Sequence, residues 1–258
     1  MSALTDPELA AVCAATMRFG LLMLDGGASA YRVDEAMRRA GSLIGADRVE
    51  AYVTPTGIIL SVYNGSVDHT QISRIRTIRV NLQRVYDAEL LLREMHGGSS
   101  IAALVAGMDR IEASLPPYPI WMVALGCGLG CGSFAVLRNG GPLEFAAAFC
   151  AGVLTQFLRV RLLRARLQIS PVTVICATVA SSIALLIARA VGAPQPRIAV
   201  IASVLLLVPG VPLVTSLIDL LLGHLVAGVA RGVYAVLLLI GIGIGVVVSV
   251  TLFGFMLI

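Results

Sequence analysis

From Pro119 to the end of the sequence, apolar residues run on almost without interruption, in stretches of the length that crosses a bilayer. A helix rises about 1.5 Å per residue, so crossing roughly 30 Å of hydrocarbon takes about 20 residues. Stretches of this kind fall at 120–137, 143–158, 172–190, 198–222 and 232–258, the second short for a span and the fifth long. Hydrophobic residues make up 58% of the 258 positions and charged residues 13%, about half the charge of an ordinary soluble domain. Lipid-facing surface accounts for that deficit.

The first 117 residues have a different solvent. Up to Pro117, 11 Arg stand against 13 Asp and Glu, a balance of −2; from Tyr118 onward 8 Arg face only Glu144 and Asp219, a balance of +6, and together these give the net +4. The change falls at the proline-rich run 115–119, a natural breaker. The expected fold is therefore an α+β soluble N-terminal domain over 1–117, followed by an all-α transmembrane bundle of about five helices over 118–258.

Local signals fill in the N-terminal domain. Thr5 or Asp6 caps a first helix with Pro7 in its opening turn, and Gly26-Gly27 stops it. A second helix runs from Ser29 to Ile44 and ends at Gly45. Between 49 and 63, β-branched and aromatic residues indicate two strands joined by Thr54-Pro55-Thr56-Gly57, with Asn64-Gly65 as a hairpin signal and a third strand within 71–80. Asn81 then caps a helix to His96, and Ser99 or Ser100 caps another.

Several classes are disfavoured. All basic residues are Arg, and the N-terminal half is slightly acidic, which gives no phosphate-binding surface and no nucleic-acid partner. The cysteines at 13, 127, 131, 150 and 176 are odd in number and form no CxxC; they are expected as small core residues, with no disulfide, metal site or cofactor. No secretory signal is expected, since the N-terminus carries Asp6 and Glu8 and the apolar piece 19–24 is too short. Arg159, Arg161, Arg164 and Arg166 crowd what reads as one loop, which the positive-inside rule makes cytoplasmic; Arg138, Arg189 and Arg197 count against that choice. Five spans then leave the N-terminal domain in the cytoplasm of a bacterial cell, under the inner membrane. The odd span count, with no internal repeat, calls for a partner or a homo-oligomer.

Candidate functional residues lie in the fourth stretch. Pro209, Gly210 and Pro212 stand mid-span, where each proline removes a helical hydrogen bond, so a broken helix is expected, serving either as a packing kink or as the lining of a pathway. Thr215 and Asp219 follow on the same stretch. A transmembrane acid is a candidate for ion or proton coupling, or else an interfacial carboxylate near the helix end paired with Arg231 or His224. Gly126, Gly128, Gly130 and Gly132, and Gly241 with Gly245, have the spacing that lets helices approach closely. In the N-terminal half Asp68 and His69 read as a loop; a membrane-anchored hydrolase could be built on them, but no nucleophile elbow supports it and no catalytic residue is assigned.

The segments Gly27-Ala28-Ser29-Ala30-Tyr31-Arg32-Val33-Asp34-Glu35, Val53-Thr54-Pro55-Thr56-Gly57 and Leu207-Val208-Pro209-Gly210-Val211-Pro212, followed by Asp219, Gly223-His224 and Gly228-Val229-Ala230-Arg231, together resemble the threonine/serine exporter (ThrE) family, in its YjjP-type layout. The resemblance implies an exporter of small polar metabolites, threonine and serine or a dicarboxylate such as succinate, driven by an ion gradient. It also implies a smaller membrane partner subunit, because members of this length look like half of a split system. It assigns Gly27, Arg32, Glu35, Thr54, Pro55 and Gly57 to a motif of the N-terminal domain, and Pro209, Gly210, Pro212, Thr215, Asp219 and Arg231 to a transport pathway. Asp25-Gly26-Gly27 departs from the family pattern.

Overall fold

A computed structural model of the chain describes residues 5–75, 80–114 and 118–254. The chain divides into two compact units, Met1–Leu115 with Gly210–Tyr234, and Pro116–Pro209 with Ala235–Ile258.

In the first unit, α1 (Asp6–Asp25) starts at Thr5, whose backbone N–H donates to the Glu8 carboxylate at 2.8 Å, and carries Pro7 in its first turn. It is followed by Gly27 at φ +92°, a left-handed conformation that favours glycine. Ser29 caps α2 (Ala30–Leu43), its hydroxyl accepting from Arg32 N–H at 3.3 Å. The strands β1 (Arg48–Thr54), β2 (Gly57–Asn64) and β3 (Val67–Arg74) form one antiparallel sheet in that order. Asn81 caps α3 (Leu82–Glu94) and Ser100 caps α4 (Ile101–Ala113), each through its side-chain oxygen. The short helix α9 (Gly210–Leu221) and the start of α10 (Leu225–Gly254) complete the unit.

The alternation of β2 puts Ile58, Leu60 and Val62 on a buried face. They join Phe19, Met23, Met37, Leu104, Met108 and Ala227 in one apolar core, and α1 packs against α2, α3, α4, β2 and β3.

The second unit holds α5 (Ile120–Leu137), α6 (Pro142–Arg164), α7 (Ile169–Ala190), α8 (Pro196–Ser203), a 3₁₀ turn (Leu205–Leu207) and the rest of α10. Its helices approach closely where glycine removes a side chain. A Cβ on Gly128 would lie 2.5 Å from Val153 and 2.9 Å from the Phe149 carbonyl; on Gly245 it would lie 2.7 Å from the Val174 carbonyl. Gly132 and Gly152 meet Phe145 and Cys131 in the same way, whereas Gly126 and Gly130 touch nothing.

Among the described residues five helices are long and apolar enough to cross a membrane: α1, α5, α6, α7 and α10. The stretch 196–221 qualifies only when its two helices are taken together. The number matches the sequence reading, but α1 joins the set, with 61% of its apolar window buried among the protein's own elements.

Two further expectations are corrected. Strand β3 begins at Val67, four residues before the expected start, because Gly65 at φ +59° makes the tight turn and pairing resumes at once with Asn64 opposite Val67. Residues 76–79 of the expected strand, 115–117 of the proline-rich run and 255–258 of the last span lie outside the described residues. Arg159, Arg161 and Arg164 belong to the last turns of α6 rather than to a loop, and only Arg166 lies past the helix, at φ +60°.

Candidate functional site: a buried carboxylate on a helix N-terminus

The fourth apolar stretch is broken where the prolines predict it. After the 3₁₀ turn, Val208 is extended (φ −60°, ψ 125°), Pro209 follows, and α9 starts at Gly210. Pro212 falls in the first turn of α9, where a missing N–H removes no helical bond. The prolines thus end one helix and open the next. Gly210 has open space around its Cα and no left-handed backbone.

Asp219 lies in the last turn of α9, and its own carbonyl accepts from His224 N–H at 2.8 Å across the turn made by Gly223 at φ +86°. A carboxylate there sits at the negative end of the helix dipole and needs outside compensation. Asp219 is nevertheless completely buried. Compensation comes from α2, far away in sequence, and from α10, the next helix. Its Oδ1 accepts from Tyr31 N–H, in the first turn of α2, at 3.1 Å. Its Oδ2 lies 3.6 Å from Nε of Arg231, itself only 8% exposed. The carboxylate therefore occupies the positive end of α2, the position that favours anions.

The ion pair is loose. Charge-assisted N–H···O bonds close to about 2.7–2.9 Å, and neither Asp219 Oδ2 nor Arg231 Nε has a hydrogen-bond partner among the described residues. Arg231 is steadied instead by Nη1 donating to Thr215 Oγ1 at 3.3 Å, while that hydroxyl donates to the Val211 carbonyl at 2.8 Å. The Tyr31 ring meets His224 edge to face, centroids 6.1 Å apart. α10 is held to α9 by Ser216 Oγ donating to the Gly228 carbonyl at 2.7 Å; a Cβ on Gly228 would stand 2.9 Å from the Leu220 nitrogen, and one on Gly232 2.9 Å from Ser216 Oγ.

Thr215, Asp219 and Arg231 are thus brought together, with Gly27 two residues before the Ser29 cap of the helix that receives Asp219. Arg32 points elsewhere, its Nε donating to Glu89 of α3 at 2.9 Å, and Glu35 is exposed. Thr54, Pro55 and Gly57 make the β1–β2 turn, closed by Thr54 Oγ1 on the Gly57 carbonyl at 2.9 Å; a Cβ on Gly57 would lie 2.6 Å from the Ser73 carbonyl. No hydrogen bond or ion pair joins that turn to Asp219 among the described residues. Sequence reasoning assigned no role to Tyr31, Ser216, Gly228 or Gly232; for Tyr31 the contact is a backbone N–H, which leaves no signature in residue type. Asp68 and His69 fall on adjacent positions of β3, so their side chains leave opposite faces of the sheet and form no dyad. Among the described residues no cluster of His, Cys, Asp and Glu could hold a metal ion.

Comparisons with known proteins converge on one family. The profile of the ThrE family, described as "Putative threonine/serine exporter", matches residues 14–253. The "Probable succinate transporter subunit YjjP" of Escherichia coli (strain K12) is 32% identical over 252 residues, covering 95% of each chain. The protein of the same name from Klebsiella aerogenes is 30% identical over 249 residues, covering 96% of each. No solved structure matches the chain.

Proposed function

We propose, because this chain belongs to the ThrE family of threonine/serine exporters, that it is one subunit of an exporter that moves a small polar metabolite out across the bacterial inner membrane. The substrate is threonine or serine, or a dicarboxylate such as succinate, the compound in the name of the YjjP relatives. The same names call those proteins subunits, which supports a smaller ThrE-family membrane partner here, or further copies of this chain. The polypeptide is multi-pass, residues 1–117 form a cytoplasmic α+β domain, and export is driven by an ion gradient rather than by catalysis on this chain.

The observation that carries the reading is the loose Asp219–Arg231 pair on the N-terminus of α2. A structural ion pair gains most when its bonds are short and every polar atom is satisfied; this one leaves an oxygen and a nitrogen unbonded in a buried place. Such a pair is held less tightly than a closed one and lets go when Asp219 takes up a proton or when α2 moves, so it serves as a latch between α2 and the broken segment. Pro209, Gly210 and Pro212 supply the break, Thr215 and Arg231 the far side of the latch, and the N-terminal domain acts as the gate.

Efflux of preloaded threonine, serine and succinate is the test, in cells that lack their own exporters and express the chain with and without a candidate small partner. Asp219→Asn should cut efflux of the true substrate at least about tenfold at unchanged protein level. Full efflux in that variant refutes the latch; no efflux of any compound from the wild type under any pairing refutes the exporter.

A further inference from the structure

The second unit contains seven arginines, at 138, 159, 161, 164, 166, 189 and 197, and a single acid, Glu144. Glu144 is already engaged, accepting from Gly141 N–H at 2.8 Å and Gln195 N–H at 2.7 Å. No arginine of this unit has an internal counter-ion among the described residues. On α6, Arg161 and Arg164 are exposed, with Arg166 exposed just beyond, as suits contact with lipid phosphate or water, but Arg159 is drawn partly inside. α6 packs against both α5 and α7, and a side chain drawn inward from it enters the helical bundle.

One turn earlier on the same face stands Thr155, completely buried with its hydroxyl unbonded. It is an exception in its unit. Thr173, Thr178, Ser181, Ser182 and Ser203 all donate to a carbonyl three or four residues back along their helices, the usual way to satisfy a hydroxyl inside a helix. The neighbouring Gln156 also buries its Oε1 without a partner. Buried polar groups left unbonded destabilise a fold and call for an explanation.

We propose that Arg159, Thr155 and Gln156 form the subsite of the helical bundle that holds the carboxylate of the transported substrate. This rests on the exporter reading and adds the residues that receive the substrate's carboxylate. The planar guanidinium fork matches a carboxylate bidentately. The free Thr155 and Gln156 groups bond the remainder of the molecule, an ammonium and hydroxyl in an amino acid or a second carboxylate in a dicarboxylate. The exposed arginines at 161, 164 and 166 have no such buried partners.

The test uses membrane vesicles containing the full chain, with the partner that supports efflux, and follows thermal unfolding against added threonine or succinate. The compound that stabilises the wild type identifies the source of the carboxylate. Arg159→Gln should raise its half-saturating concentration about ten- to a hundredfold, the worth of one charged hydrogen-bonded contact. Arg159→Lys, which keeps the charge without the fork, should fall between and guards against a folding failure, and Arg161→Gln should behave as wild type. Wild-type half-saturation in Arg159→Gln, with efflux intact, overturns the subsite and leaves the exporter standing. Loss of co-purifying anionic lipid from Arg159→Gln with no change in the ligand effect overturns it in favour of a lipid contact. If neither compound stabilises the wild type and none is exported, the exporter reading falls and the subsite with it.

Discussion

Replacing Arg231 by Met tests whether the Asp219 site is a paired charge or an accident of packing. The variant keeps a long apolar stem and removes the cation that lies 3.6 Å from Asp219 Oδ2. At an effective dielectric of about 20, two unit charges at that separation attract by about 4–5 kcal/mol. The net cost of breaking a buried pair from one side falls in the same range, about 3–5 kcal/mol, because the abandoned charge stays desolvated. Asp219 cannot escape by turning to water, since it is completely buried and its other oxygen is bound to Tyr31 N–H. Asp219→Asn alone should cost less, because the flexible Arg231 can carry its head toward water. The double variant Asp219→Asn, Arg231→Met should therefore recover a large part of the loss. Denaturant unfolding of the purified chain and its three variants measures this as a double-mutant cycle. A cycle that closes additively, with the double variant as unstable as the two losses combined, means that the charges do not interact and the latch argument fails.

Two further substitutions probe the second unit by the same assay. Glu144→Ala leaves the N–H groups of Gly141 and Gln195 without their acceptor and should destabilise by about 1–3 kcal/mol for each group that water cannot reach, with Glu144→Gln losing less; an unshifted midpoint in the Ala variant would deny that Glu144 ties the start of α6 to the segment before α8. Gly245→Val places its Cβ against the Val174 carbonyl and the Thr178 nitrogen, backbone atoms that yield only by moving a helix, so about 1–3 kcal/mol should be lost, whereas Gly243→Val, which meets nothing within 4 Å, should leave the midpoint unchanged.

What the sequence made legible was local. Thr5, Ser29, Asn81 and Ser100 start helices in the structure as expected, because a cap is a bond between residues two or three apart and its signature lies in the residue types themselves. The broken stretch at Val208–Pro209 was legible for the same reason. The start of β3 was not, because the polar residues Asp68, His69 and Thr70 resemble a loop until the register of the hairpin places them on a largely exposed strand. The arginines of α6 were misplaced because charge does not stop a helix: Arg is a good helix former, and cations suit a helix C-terminus. Least legible was the burial of Asp219, since its hydrogen-bond donor is a backbone N–H 188 positions away in sequence.

The family motifs gain a physical sense from that long-range contact. Gly27 provides the left-handed turn that ends the approach to α2, Ser29 caps α2, and the N–H of Tyr31 is left to receive an outside acceptor. Asp219 supplies that acceptor from the segment opened by Pro209 and Pro212, and Arg231 balances its charge from the start of α10. α10 runs unbroken to Gly254, and near its other end the hydroxyls of Ser249 and Ser182 of α7 are hydrogen-bonded at 2.9 Å. Neutralising Asp219 therefore removes at once the charge that the N-terminus of α2 receives and the charge that Arg231 faces.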